Sequence, residues 1–246
     1  MLAAVAAFLL LASPSPSAER MDYAIARFLD NGFTREEAEA FFRDPRLKVN
    51  PAPTGPPRKI DWDRIIRDLV APASVEKGRY FLEHHNADFQ EAERRFGVDK
   101  EIIAAILRVE SRFGENTGRS VVFNAFYTAL VRRQEEERWK WAADNLAALA
   151  VYCRTAGKDC FAVRGSYAGA LGPAQFLPKS AELFGADGDG DGFVDPFNLT
   201  DAIFSAASFL LQHGWRDDQT AALGKYYGSA RDYPRAVLAY AAALRP

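Results

Sequence analysis

Apolar residues recur at helical spacing along most of the chain and alternate in almost no stretch, which predicts a mainly α protein with few strands. Met21 to Phe42 carries the helical period, broken at Asn31-Gly32. Thr34-Arg-Glu-Glu37 reads as a capping box that starts a second helix there. Arg43 to Lys59 holds five of the thirteen prolines and reads as an extended connector. Ile60 to Val70 predicts a short helix ended by Ala71-Pro72, and Ser74 to Phe96 a single amphipathic helix. Further helices are predicted over Glu135 to Val151, Leu199 to Gln212, Ala221 to Tyr227 and Tyr233 to Leu244. No internal repeat is visible.

One helix carries candidate chemistry. Between Gly97 and Gly114, Asp99 suits an N-cap and Gly114 the position past the C-terminus. Ile102, Ile106, Val109 and Phe113 form a buried stripe that Ile103 and Leu107 widen. Glu110 follows Leu107 by three residues, Ile106 by four and Ile103 by seven, so it projects from the apolar side of the last turn. Burial there disfavours the carboxylate, as does the negative end of the helix dipole. A carboxyl kept neutral near pH 7 is what a general acid needs. The alternative is a border glutamate paired with a nearby cation, although neither Arg108 nor Arg112 has the spacing of a good helical pair.

Two other stretches stand out. Ser166 to Pro178 is rich in small residues, which let backbone approach a ligand or a neighbouring helix, and embeds the polar Ser166, Tyr167 and Gln175. Ser166 lacks the Gly-x-Ser-x-Gly setting of a hydrolase nucleophile. Asp187 to Asn198 reads as an EF-hand-like loop. Asp187, Asp189 and Asp191 stand at positions 1, 3 and 5, the turn-forming Gly192 at 6, Phe193 at 7 and Asp195 at 9. Position 12, usually a bidentate Glu, is Asn198. The expected ion is structural, calcium or sodium; the other reading is a solvated Asp/Gly turn. Near the C-terminus Tyr226, Tyr227 and Tyr233 concentrate aromatics; such rings stack on sugar faces but also fill cores, and composition alone reads as core.

Composition narrows the classes. A chain of 246 residues can bury a full core, and a net charge of -2 offers no footprint for nucleic acid. Three His and two Cys form no zinc pattern, and no organic cofactor is expected. Leu2 to Ala12 is apolar but too short to span a bilayer, and Ala12-Ser-Pro-Ser-Pro-Ser-Ala18 follows. Residues 1–18 therefore read as a signal peptide, without a basic start, and no Cys beside it supports a lipid anchor. Export gives Cys153 and Cys160 a meaning as a small disulfide loop; two free buried thiols are the alternative.

In order, these motifs resemble the lytic murein transglycosylase B family, glycoside hydrolase family 103. Val109-Glu-Ser-Arg-Phe-Gly114 is similar to its catalytic-acid motif, Ser166 to Gly172 and Gln175 to Pro178 to its small-residue segments, and the aspartate loop with Asp201-Ala-Ile203 to its EF-hand-like insertion. His213-Gly-Trp215 matches the end of the helix that follows. The resemblance covers about Ser74 to Leu244, with residues 19–73 as an N-terminal helical extension of a single domain over 19–246. It implies a lysozyme-like helical fold in a monomeric, periplasmic or secreted enzyme acting on peptidoglycan. The β-1,4 bond between N-acetylmuramic acid and N-acetylglucosamine is cut with Glu110 as the single acid/base, leaving a 1,6-anhydromuramoyl end. Ser166, Gln175, Tyr226 and Tyr227 would bind substrate. Two positions depart from the family: Tyr227 stands where an Asn is usual and Phe209 where a Tyr is common. The first keeps a non-catalytic peptidoglycan-binding protein in play, beside a hydrolytic muramidase.

Overall fold

The computed structural model describes residues 15–52, 54–55, 59–228 and 232–245. The apolar run of the expected signal peptide, through residue 14, lies outside the described residues. Two helices open the chain, α1 (Ala18–Asp30), capped by Ser17, and α2 (Arg35–Arg43). The capping box is formed: Thr34 Oγ1 accepts from the Glu37 amide at 3.2 Å, and the Thr34 amide donates to Glu37 Oε2 at 2.7 Å. After α2 the chain makes a turn at Pro45-Arg46 and then runs without helix or strand through Ala52. The Lys48 amide donates to Asn124 Oδ1 at 3.1 Å and the Asn50 amide to Thr128 Oγ1 at 2.7 Å, which pins the connector to the body.

The first half continues with α3 (Trp62–Leu69), α4 (Pro72–His84), α5 (Asn86–Phe96) and α6 (Lys100–Ser111). Pro72 opens α4 at its first turn, where a missing amide costs nothing, rather than only closing the helix before it. The single helix expected over Ser74 to Phe96 is two, broken at His85. A two-stranded antiparallel ribbon pairs β1 (Ser120–Val121) with β2 (Arg164–Gly165), Ser120 opposite Gly165. Between the strands run α7 (Val122–Arg132) and α8 (Glu136–Thr155). Then come α9 (Pro178–Phe184), α10 (Leu199–Gln212), α11 (Gln219–Tyr227) and α12 (Asp232–Leu244). No helix among the described residues is long and apolar enough to cross a membrane.

Buried side chains form two clusters. One gathers α3 to α6 and α10 to α12 around Ile103, Leu107, Phe204, Tyr233 and Tyr240. The other joins α1, α2, α7 and α8 around Phe28, Phe123, Leu130 and Leu146. The segment after β2 bridges them: Leu171 is buried in the second cluster, Ala174 and Phe176 in the first. Leu171 and Phe176 face each other across a tight turn closed by their own amides, at 2.7 and 3.1 Å.

Cys153 and Cys160 are joined, with Cα atoms 5.5 Å apart. The bridge closes a short loop behind α8 that carries Lys158 and Asp159. Closing so short a loop is worth about 2 kcal/mol on the chain-entropy account. Replacing both cysteines by alanine should therefore lower unfolding free energy by about 2 kcal/mol. Chemical denaturation of the oxidised protein beside the double variant measures it; equal midpoints would show that the bridge adds nothing.

Candidate active site

The site is built on the end of α6. The helix is buried along Ile102 to Leu107, and Glu110 lies in its last turn. Arg112, Phe113 and Gly114 then all adopt left-handed backbone, with φ of 57°, 64° and 88°. Two consecutive non-glycine residues in that region are costly, and the surroundings hold them there. Phe113 donates its amide to the Leu107 carbonyl at 2.9 Å, and its ring stacks on Phe81, centroids 4.3 Å apart. Ser111, 1% exposed, donates Oγ–H to the Pro173 carbonyl at 2.6 Å and accepts from the Gly114 amide at 2.8 Å. The residue after Glu110 thus bolts the helix end to the turn that joins the two cores.

Glu110 is half-buried as a residue, but its carboxyl sits among packed groups, and burial pushes it up to about 7. The opposing influence is the Tyr233 hydroxyl, which faces the carboxyl and holds it down in part. Tyr233 is 0% exposed, and its hydroxyl closes no hydrogen bond with a protein partner. Tyr226 and Tyr227 lie close enough to feel the glutamate's charge, which raises both phenols together with burial. Glu115, the next carboxylate along the chain, points elsewhere: it is on the surface, paired with Lys77 at 2.6 Å.

The predicted substrate residues fall into two groups. Ser166 and Gln175 flank the turn that Ser111 holds. Ser166 Oγ accepts from the Ala170 amide at 3.0 Å, leaving its proton to donate. Gln175 adopts φ 53° and donates Nε2–H to the carbonyls of Gly172, at 2.8 Å, and Thr117, at 3.3 Å, which leaves Oε1 as its free acceptor. Tyr226 and Tyr227 belong to α11. Tyr226 donates its hydroxyl to the Ala174 carbonyl at 2.8 Å, so its polar end braces the turn. Tyr227 is 42% exposed and stacks on Tyr233, centroids 4.8 Å apart and planes 19° from parallel. Phe209 packs edge-on against Tyr226 inside this wall.

The acidic loop connects α9 to α10. The carboxylates of Asp187, Asp189 and Asp201 can bring oxygens within 4.8 Å of one another. Asp201 is 1% exposed, and its oxygens accept from the amides of Gly188 and Asp195, both at 2.8 Å. Hard, convergent, mostly anionic oxygens suit a hard cation, so the donor set fits calcium. The other predicted ligands are placed differently. Asp191 accepts from the Phe193 amide at 2.8 Å, and the Phe193 ring stacks on Tyr152. Asp195 is held by Tyr152 at 2.8 Å and Lys158 at 3.0 Å. Asn198 Oδ1 caps α10, accepting from Thr200 at 2.8 Å, while its Nδ2–H donates to Asp189 at 2.6 Å. Asp201, and not the twelfth loop residue, brings a carboxylate oxygen to Asp187 and Asp189; Asn198 meets Asp189 as a donor.

Sequence reasoning missed three residues here. Asp201 had a signal, as an acid in the first turn of an apolar helix where burial was certain. Ser111 had a weaker one, as a serine on the buried side beside Glu110. Tyr233 had none beyond its clustering with Tyr226 and Tyr227, because it reaches Glu110 only through the packing of α12 on α6.

A family model described as Transglycosylase SLT domain matches residues 17–230. Membrane-bound lytic murein transglycosylase B of Escherichia coli (strain K12) is 30% identical over 207 residues, which cover 84% of this chain and 53% of the relative. The chain thus spans about half the length of the curated relative it matches. The Escherichia coli lytic transglycosylase SLT35, solved in complex with calcium, superposes with a TM-score of 0.77 over 92% of either chain at 20% identity, a likeness of fold. SltB3 from Pseudomonas aeruginosa, in complex with NAG-anhNAM-pentapeptide, is 25% identical with a TM-score of 0.67, over 80% of this chain and 53% of that one. The mainly α, lysozyme-like fold expected from the motifs is the fold observed. A family match that begins just before α1 and runs through the site into the last loop makes the chain a member of the transglycosylase SLT domain family.

Proposed function

We propose that this chain cleaves peptidoglycan as a lytic transglycosylase, with Glu110 as its single acid/base. The observation that carries the reading is a carboxyl packed among buried groups at the end of α6, which burial raises to about 7, with no second carboxylate beside it among the described residues. The neutral carboxyl protonates the oxygen that leaves toward N-acetylglucosamine as the bond to muramoyl C1 breaks. The resulting carboxylate takes the proton from the muramoyl C6 hydroxyl as its oxygen closes on C1. Glu110 ends as it began, and no water is consumed. A hydrolase of the usual two-carboxylate kind would need a second acid to activate water or to attack C1. Ser166 offers a donor and Gln175 Oε1 an acceptor to hold the sugar, with Tyr227 as an aromatic face.

The homologues' names support the substrate: one is a lytic murein transglycosylase, and SltB3 was captured with an anhydromuramoyl peptide. Such a substrate calls for a protein in the periplasm or outside the cell, and the joined cysteine pair supports that reading. Mass spectrometry of soluble products from purified sacculi tests the activity. Glycan fragments lighter by one water than hydrolytic ones would support it; reducing ends would make the protein a muramidase, and binding without products a wall-binding protein.

The raised carboxyl sets the pH dependence. Below about 7 Glu110 is protonated and ready to donate. Above that value the acid form is lost, so kcat/KM should fall by about tenfold per pH unit. A profile on a soluble fragment from pH 5 to 9 checks it, and a rate still flat at pH 9 would exclude Glu110 as the acid. The aspartate cluster adds a calcium prediction. Calcium at a hundredfold its Kd should stabilise the fold by about 2.7 kcal/mol, and chelation should remove that. Melting with calcium and with EDTA decides; an unmoved midpoint would rule out an ion site at Asp187, Asp189 and Asp201.

A further inference from the structure

Beyond Glu110 the aromatic wall continues onto the N-terminal extension. Trp62, the first residue of α3, stands nearly perpendicular to both stacked tyrosines: 80° to Tyr227 with centroids 5.6 Å apart, and 86° to Tyr233 at 6.3 Å. Its ring is half-buried against the first core, and its Nε1–H meets no acceptor among the described residues. The Tyr227 hydroxyl is equally unengaged. Alongside Trp62 opens a cavity of ≈440 Å³ whose rim includes Asp61, Asp63, Asp232 and Arg235. Arg235 pairs with both Asp63 and Asp232, which ties the start of α3 to the start of α12.

We propose that Trp62 and Tyr227 form a sugar-binding corner next to Glu110, in which a pyranose ring of the glycan stacks on one ring and hydrogen-bonds with the free indole N–H and the charged rim. Two aromatic planes at right angles match the two chemistries of a pyranose: an apolar C–H face that stacks and an edge of hydroxyls that needs donors and acceptors. A packing role alone would leave the aromatic planes covered, whereas Tyr227 is 42% exposed and the cavity opens beside Trp62. The corner makes α3 part of the substrate groove. The inference rests on the peptidoglycan reading above.

The test separates the two. In the Glu110→Gln background, calorimetry measures the Kd of a soluble four-sugar fragment of alternating N-acetylglucosamine and N-acetylmuramic acid. Adding Trp62→Ala should weaken binding by about tenfold. Tyr227→Leu, a change at an exposed position, should weaken it comparably. Trp62→Phe should retain more affinity than Trp62→Ala, because it keeps a stacking face. With Glu110 intact, both truncations should raise KM more than they lower kcat. Unchanged Kd and KM in Tyr227→Leu and in folded Trp62→Ala would overturn the corner and leave the functional reading standing. If Glu110→Gln binds no glycan and the parent releases no anhydro product, corner and reading fall together.

Discussion

Glu110→Gln is expected to lower the release of anhydromuropeptides by about a thousandfold or more while leaving the fold intact. The amide has the same shape, but it cannot protonate a leaving oxygen. No neighbour can take over the role. Tyr226, Tyr227 and Tyr233 have phenols raised chiefly by burial, which the substitution does not change, so they remain weaker acids than a free tyrosine. Glu115 is occupied by Lys77 on the surface.

The same substitution should also change stability, and the sign follows from linkage. The folded carboxyl is raised to about 7, above its value in the unfolded chain, so the native state binds the proton more tightly. Its contribution is present in full at low pH and is lost as pH rises through about 7. At pH 8 the wild type holds a charge in a buried site and the glutamine variant does not. The variant should melt higher than wild type at pH 8, and the gap should narrow toward pH 4. Activity that survives the change, or a gap that widens in acid, would remove Glu110 from the mechanism as described.

Much of the helical framework was legible because a helix with one buried face announces itself. α6 shows why: its apolar stripe fixed the side on which Glu110 projects. Its ends were less legible. Gly114 alone suggested a single left-handed residue, but the exit uses three, held by bonds back to the Ser111 hydroxyl and the Leu107 carbonyl. α7 escaped because apolar residues occupy nearly every face of Val122–Arg132, so no period stood out. α9 escaped because seven residues give too short a pattern. His85 breaks α4 from α5 without proline or glycine, which no local rule marks. At the site, the motif residues were readable and their environment was not. Tyr233 and Trp62 reach Glu110 and Tyr227 through contacts between helices far apart in sequence.

Gly172→Ala should be the most damaging single methyl in the protein, costing more than about 4 kcal/mol and abolishing activity. Gly172 has φ of 63°, and a Cβ built on it would lie 1.6 Å from the Pro196 carbonyl oxygen and 2.6 Å from its carbon. Both obstacles are backbone, so no rotamer relieves them. The chain must move the Ser166–Gln175 turn away from the loop that carries Asp187 and Asp195, and either shift reaches the site. The turn carries Pro173, the acceptor for Ser111 beside Glu110, and Gln175. The loop carries the aspartates that face Asp201. Gly157→Ala separates strain from collision: its φ of 61° is as unfavourable for a side chain, but nothing lies within 4 Å of the added carbon. That change should cost only about 1 kcal/mol, the penalty of left-handed backbone alone. Thermal unfolding and turnover of the two variants provide the comparison. If Gly172→Ala behaves like Gly157→Ala, the turn is free to move relative to the aspartate loop, and a rigid link from the aspartate cluster to Glu110 is excluded. If it unfolds or loses turnover while Gly157→Ala does neither, the contact at Pro196 is what registers the two halves of the site.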